Sequence, residues 1–337
     1  MQMKRYFYFI SLILFVLTAL SCSAPGGEPK GTASGTTVTT VSADTTADIT
    51  TSEITEPVSE PANGNGREPL VFSADGTVIS GEPSGDPKTD NFKVYFFNVG
   101  RADAALIDAD GRYYLIDTGE ANTADALCDM LDTLGVKFID AVFLTHTHSD
   151  HIGGFKRICK RLEVGGLFSP EYSILNDLGE NKITLLAERY GKENIKLAAG
   201  DNVKLCEGVY AEVLGPLEYN GDDDNDNSLV LRVAVNGGVF LFTGDMQFTE
   251  EFSLIEAGAE LAADVLKVGN HGNKDATSGT FADAVAPEIA VISTDRKINP
   301  PSRRIVSLFS KSDVYVTGDY KNWLRVTVAA DGTISVD

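Results

Sequence analysis

A mixed α/β domain, with helices covering the outside of its sheets, is the fold class this sequence predicts. Three observations point there. Strand-like apolar runs come first and recur to the end of the chain. Segments with helical spacing alternate with them, and Gly- and Asn-containing turns mark hairpins.

The elements follow in order. Phe92 to Val99 (FKVYFFNV) is aromatic and β-branched, a strand broken by Gly100. Ala104 to Asp108 is a second strand, Asp110-Gly111 a hairpin turn, and Tyr113 to Ile116 the return, closed by Asp117-Thr118-Gly119. From Thr123 to Leu134 the apolar positions 126, 127, 130, 131 and 134 predict a helix, and Gly135 ends it. Ile139 to Leu144 is a buried strand, followed by a polar loop and a helix from Phe155 to about Leu162. Val209 to Leu214 is a strand ended by Gly215-Pro216, and residues 220–227 (NGDDDNDN) read as a solvated loop. Leu229 to Val235 and Val239 to Phe242 form a hairpin across Asn236-Gly237-Gly238, ended by Thr243-Gly244-Asp245. Glu250 to Ala257 is helical, and Val265 to Val268 is a strand ended by Gly269-Asn270-His271-Gly272. Strands at 289–292, 313–316 and 324–328, with a helix near Ser302 to Ser310, complete the domain.

The domain does not fill the chain. Lys4 and Arg5 precede an apolar run from Tyr6 to Leu20. That run is shorter than the roughly 20 residues a bilayer span needs and has the length of a secretion-signal core. Ala19-Leu20-Ser21-Cys22 then resembles the lipobox of bacterial lipoproteins, which implies lipidation at Cys22 and a secreted, membrane-anchored protein. Residues 23–90 are rich in Thr, Ser, Gly, Pro and acidic side chains, with too few large apolar groups to offset ordering entropy. The expected organisation is a signal at 1–22, a disordered tether at 23–90 and one domain at 91–337. The net charge is −21, about −15 of it on the domain, a poor general match for a polyanion such as DNA. Bound metal ions would reverse that field locally. The remaining cysteines, Cys128, Cys159 and Cys206, are odd in number, lack CxxC spacing and read as thiols of helix or strand.

Chemistry concentrates on the histidines. Of four in the chain, His146, His148 and His151 fall within six residues, with Asp150 among them, directly after a buried strand. Alternate positions on an extended loop put His146 and His148 on one side, and Asp150 and His151 can turn to a second position. Imidazole and carboxylate donors suit zinc, and also manganese or iron.

Thr145 to Gly154 (THTHSDHIGG) resembles the HxHxDH signature of the metallo-β-lactamase superfamily. Other segments stand in the family's order: Leu115 to Gly119 (LIDTG), Thr243-Gly244-Asp245, and Val268 to Gly272 (VGNHG). The resemblance covers nearly all of residues 91–337. It implies the four-layer αβ/βα sandwich and two divalent ions held by His146, His148, Asp150, His151, Asp245 and His271. Asp245 would bridge, Asp150 would also orient the attacking water, and Asp117 would support a ligand histidine from behind. Phe97 to Ala104 (FNVGRADA), Asn225 to Leu231 (NDNSLVL) and Leu266 to Gly272 (LKVGNHG) resemble, more narrowly, the hydrolase domain of ComEC-type competence proteins. Surface phosphorylcholine esterases share much of this plan.

Departures are visible as well. Where many members carry a third-motif histidine, this chain has Asn225, Asp226, Asn227 and Ser228; Asp226 and Asn227 are the candidates there for an additional ligand. Asn270 replaces the first histidine of an HHG pattern, and Asn98, Arg101 and Ala102 depart from DVGQG. Lys267 reads as structural. The expected activity is metal-assisted hydrolysis, foremost of a phosphodiester in nucleic acid or the cell envelope. A lactonase or β-lactamase-like hydrolase, and a non-catalytic metal-binding surface protein, are the rival readings.

Overall fold

Strand alternation sorts side chains into separate cores. In β2 (Phe92–Phe97), Phe92, Val94 and Phe96 enter one buried cluster while Tyr95 and Phe97 enter another. In β11 (Gly238–Phe242), Phe240 and Phe242 join the first cluster and Leu241 joins a third. Two sheets therefore share a central core and each covers a further one. The computed structural model describes residues 78–80 and 86–337; the signal segment with Cys22, and most of the tether, lie outside the described residues.

One sheet runs, in spatial order, β16 (Ile334–Val336), β15 (Trp323–Val328), β2, β3 (Ala105–Ala109), β4 (Arg112–Ile116), β5 (Phe138–Phe143), β6 (Glu163–Pro170) and β7 (Asn194–Leu197). The other runs β1 (Val78–Ser80), β8 (Asp201–Cys206), β9 (Val209–Gly215), β10 (Val230–Val235), β11, β12 (Val265–Lys267), β13 (Ile289–Ile292) and β14 (Asp313–Val316). Each is antiparallel on one side and parallel on the other, changing at β4/β5 and at β11/β12. Aromatic rings bridge them: Phe92 to Phe240 at 5.6 Å and Phe96 to Phe242 at 6.1 Å between centroids. Burying each such ring contributes about 2–3 kcal/mol.

Helices close the outer faces. Leu127 and Leu131 of α1 (Ala124–Thr133), Phe155 and Ile158 of α3 (Phe155–Arg161) and Ile183 of α4 (Lys182–Arg189) pack on the first sheet. Leu254 of α5 (Phe248–Glu256), Phe281 of α6 (Gly279–Val285) and Ile305 of α7 (Arg303–Leu308) pack on the second. The four-layer αβ/βα sandwich is thus present. Among the described residues, no helix is long and apolar enough to cross a membrane.

Three expectations change. Val78–Ser80 pairs with β8, and Thr89 exchanges hydrogen bonds with Asn236, so the fold begins inside the segment read as tether. Residues 163–208, left without assigned elements, supply β6, α4, β7 and β8. The acidic loop is not uniformly solvated, because Asp224 and Asp226 are buried in a 3₁₀ turn, Asp224–Asn227.

Strand pairing also places the chemistry. Parallel β4 and β5 end in register at Ile116 and Phe143, and parallel β11 and β12 at Phe242 and Lys267. The four loops that follow leave from the same strand ends, one pair from each sheet. A backbone bond from Leu229 N to Thr145 O (3.0 Å) ties the motif loop across to the second sheet.

Candidate metal centre

The motif loop begins extended and then coils. His146 Nε2 lies 3.0 Å from His148 Nδ1, so the two nitrogens converge as alternation predicts. His148 precedes a single turn of helix, α2 (Ser149–Ile152), which carries Asp150 and His151. Close backbone packing requires glycine here: a Cβ on Gly154 would sit 2.0 Å from Thr118 O.

Asp150, His151, Asp245 and His271 each offer one donor atom, and the four atoms lie within 4.8 Å of one another. Asp245 Oδ2 is 3.3 Å from His151 Nε2 and 3.2 Å from His271 Nε2, and Asp150 Oδ2 is 3.2 Å from His271 Nε2. His146 and His151 stand 4.1 Å apart between ring centroids, so the two donor sets adjoin. His146, His151, Asp245 and His271 are buried, whereas His148 and Asp150 reach the surface and mark the open side.

Each buried histidine is aimed from behind. Asp117 Oδ2 takes His151 Nδ1 at 2.8 Å, and the same carboxylate accepts from Thr145 N and Thr145 Oγ1. Ser293 O holds His271 Nδ1 at 3.0 Å. Both arrangements leave Nε2 facing inward. Asn270 and His271 adopt left-handed backbone angles (φ 44° and 52°), a conformation that asparagine tolerates better than most residues. Asn270 therefore suits the turn that projects His271.

The donor set fits divalent metal. His151 Nε2 and His271 Nε2 are buried without a hydrogen-bond partner, and both converge on Asp245 Oδ2. Orphaned buried groups are costly unless something pairs them. Burial pushes His151 and His271 down, but Asp245, with Asp117 beside the first and Asp103 beside the second, outweighs it. His151 is held well above the ordinary histidine range and His271 is pushed up to about 9. The pocket thus demands positive charge. Burial and then the charge of His151 push His146 well below its ordinary value, leaving the neutral imidazole that metals bind.

Some expected positions are occupied differently. Asp226 Oδ1 accepts from Gln247 N (2.8 Å) at the start of α5, and Asn227 bonds Asn220 and Asp224. Both turn their polar atoms to the loop and α5. Ser228 stands at the third-motif place instead, its Oγ 3.3 Å from His146 Nδ1 and accepting from Asp245 N (3.1 Å).

Sequence reasoning missed two residues, Asp224 and Asp103, while Lys267 has the structural role read for it. Asp224 Oδ2 accepts from Thr147 N (2.9 Å) and Thr147 Oγ1 (2.6 Å), clamping the motif loop. Asp103 is buried, ion-paired with Lys267, and 3.8 and 3.7 Å from His151 Nδ1 and His271 Nδ1. Lys267 also donates to Gly244 O (2.7 Å) and lies 3.7 Å from Asp245 Oδ1. The available signal was Lys267 itself: a lysine inside a three-residue apolar strand needs a buried carboxylate partner.

With this geometry in place, the comparisons are direct. The Metallo-beta-lactamase superfamily matches residues 97–295, and the chain belongs to that superfamily of metal-dependent hydrolases. It is 32% identical over 220 residues to Competence protein ComA of Neisseria gonorrhoeae, covering 64% of this chain and 29% of that protein. It is 28% identical over 192 residues to ComE operon protein 3 of Bacillus subtilis (strain 168), covering 56% and 24%. The chain therefore spans under a third of the length of these relatives. Among solved structures, the metallo-beta-lactamase fold protein YhfI of Bacillus subtilis is 15% identical with a TM-score of 0.47, covering 71% of this chain and all of that one.

Proposed function

We propose that this protein is a metal-dependent phosphodiesterase. The observation that carries the reading is the convergence of Asp150, His151, Asp245 and His271, with unpartnered buried nitrogens, beside the His146–His148 pair. Two adjoining donor sets suit a displacement at phosphorus, where attacking and leaving oxygens both need stabilisation. Likeness to a protein named for competence agrees with a nucleic-acid phosphodiester. An envelope phosphodiester agrees better with the acidic domain and the tether.

His146, His148 and Asp245 would hold one divalent ion, and Asp150, His151, Asp245 and His271 the other. Zinc suits these donors, with manganese or iron compatible. Such ions supply a water acidified toward neutral pH and a Lewis acid for the substrate oxygens. The chain's own part is orientation. Asp117 fixes the His151 tautomer and Ser293 O fixes that of His271. Asp150, the carboxylate nearest the open side, would orient the nucleophilic water. Lys267 limits the negative charge that Asp103 and Asp245 place around the histidines.

We also propose that Cys22 is lipidated and that the tether holds the domain outside the cytoplasmic membrane; palmitate labelling lost in Cys22→Ala would support this. The activity is tested on the full chain with zinc or manganese, against bis(p-nitrophenyl) phosphate, an oligonucleotide, nitrocefin and a lactone. Phosphodiester turnover abolished by chelation is expected. Turnover of the lactam or lactone with no phosphodiester cleavage would overturn the reading.

A further inference from the structure

Beside His271 the surface opens into a cavity of about 430 Å³ walled by Arg101, Asn273, Lys274 and Asn299. Because His271 itself lines it, whatever fills the cavity lies against a candidate metal ligand. Arg101 is exposed, and among the described residues it has no acidic or carbonyl partner. Lys274 is paired only with its neighbour Asp275, in a pair 72% and 54% exposed. An ion pair that open holds a side chain weakly.

Ile298, Pro300 and Ser302 also line it, and they belong to a segment, residues 295–304 (DRKINPPSRR), with four basic side chains against one acidic, none of which lines this first cavity. In a chain of net charge −21 this segment is locally basic. Arg304 does not serve the cavity: it donates to Thr277 O and Lys274 O and so fixes the rim. Lys297 and Arg303 remain exposed. Pro300 lines the first cavity and also a second, of about 410 Å³, walled by Arg303 and by Arg296, which is paired with Asp319 at 2.6 Å. Cationic side chains thus stand at both cavities, Arg101 and Lys274 at the first and Arg296 and Arg303 at the second, with Pro300 shared between them.

We propose that this track binds the flanking phosphates of a linear phosphodiester chain and presents an internal bond of that chain to the metal centre. The inference rests on the phosphodiesterase reading and narrows it from any phosphodiester to a polymeric one. The recognising chemistry, arginine and lysine on successive phosphates, is shared by single-stranded nucleic acid and by a poly(glycerol phosphate).

The test is binding, measured on the full chain in chelator so that no cleavage intrudes. Fluorescein-labelled decathymidylate and an equally charged glycerol phosphate oligomer are titrated by anisotropy at several salt concentrations. The double variant Arg101→Gln/Lys274→Gln should weaken binding at least tenfold. It should also reduce the slope of log Kd against log salt by about 1.4, the share of two phosphate contacts on a single strand. Lys156→Gln/Lys160→Gln, which removes equal charge from α3 on the other sheet, should bind as wild type does. A polymer that binds alone, and responds to the first variant, names the source. Wild type that binds neither polymer, that binds a neutral methylphosphonate oligomer equally well, or that loses as much affinity through the α3 variant, would overturn the track. If wild type binds but the metal-loaded chain cleaves no phosphodiester, the hydrolytic reading fails and the track stands.

Discussion

The two donor sets adjoin but are not built alike. His146 and His148 face each other at the end of β5, and Ser228 occupies the position where a third histidine is common. The second set has four donors from three loops, drawn from both sheets, and each of its histidines is held from behind. Beneath it lies the Asp103–Lys267 pair, which the first set lacks. The difference teaches that affinity and geometry here are set by the residues around the donors as much as by the donors. The second set should fill first and the first set should load weakly.

Asp245 is the donor proposed to serve both sets, so its loss should have the largest effect. Asp245→Asn should remove both metal equivalents and reduce turnover at least a thousandfold, read by plasma emission on the purified chain and by steady-state kinetics. A full equivalent retained at the histidines would break the idea that one carboxylate serves both sets.

Next in size is the support beneath the second set. Lys267→Met leaves Asp103 buried without its cation and should destabilise the fold by about 3–5 kcal/mol in urea unfolding. Adding Asp103→Leu should recover most of that loss, because both charges are then gone. If the double variant is no more stable than the single, the pair is not the source of the effect.

Asp117→Asn should be milder. It keeps shape but weakens the hold on the His151 tautomer, and zinc affinity of the second set should fall about 10–100-fold while the first set changes little. Competition with a chromogenic chelator reads this; equal losses in both sets would make Asp117 a general structural residue.

The smallest effect separates fold from site. Burial, with Asp226 adding to it, pushes the Glu250 carboxyl up to about 7, although it accepts a hydrogen bond from Leu217 N. The native state therefore binds this proton more tightly than the unfolded chain does, between the ordinary glutamate value and about pH 7. Stability from this group is full below that window and declines as pH rises through it, by about 2 kcal/mol after allowance for solvent screening. Glu250→Gln should flatten the decline in thermal melts without altering metal content.

The same contrast runs through what the sequence made legible. Strands buried on both faces, such as β5, and the hairpin of β10 and β11 read clearly, because every position carries the signal. β6 holds adjacent glycines and ends in proline, and β7 buries only Leu197, so neither shows a period to read. At the site, three histidines in six residues are conspicuous in a chain with four. Asp103 and Asp224 look like ordinary loop acids in one dimension. Their burial arises only when loops from distant strands meet, as the bond from Thr147 to Asp224 across 77 residues illustrates.

Calorimetric titration of the metal-free full chain with zinc tests the central claim most directly. The account predicts two equivalents in two resolved phases. The tighter phase should vanish in His271→Ala and the weaker one in His148→Ala. Stoichiometry near zero, or a titration that neither substitution alters, would contradict it.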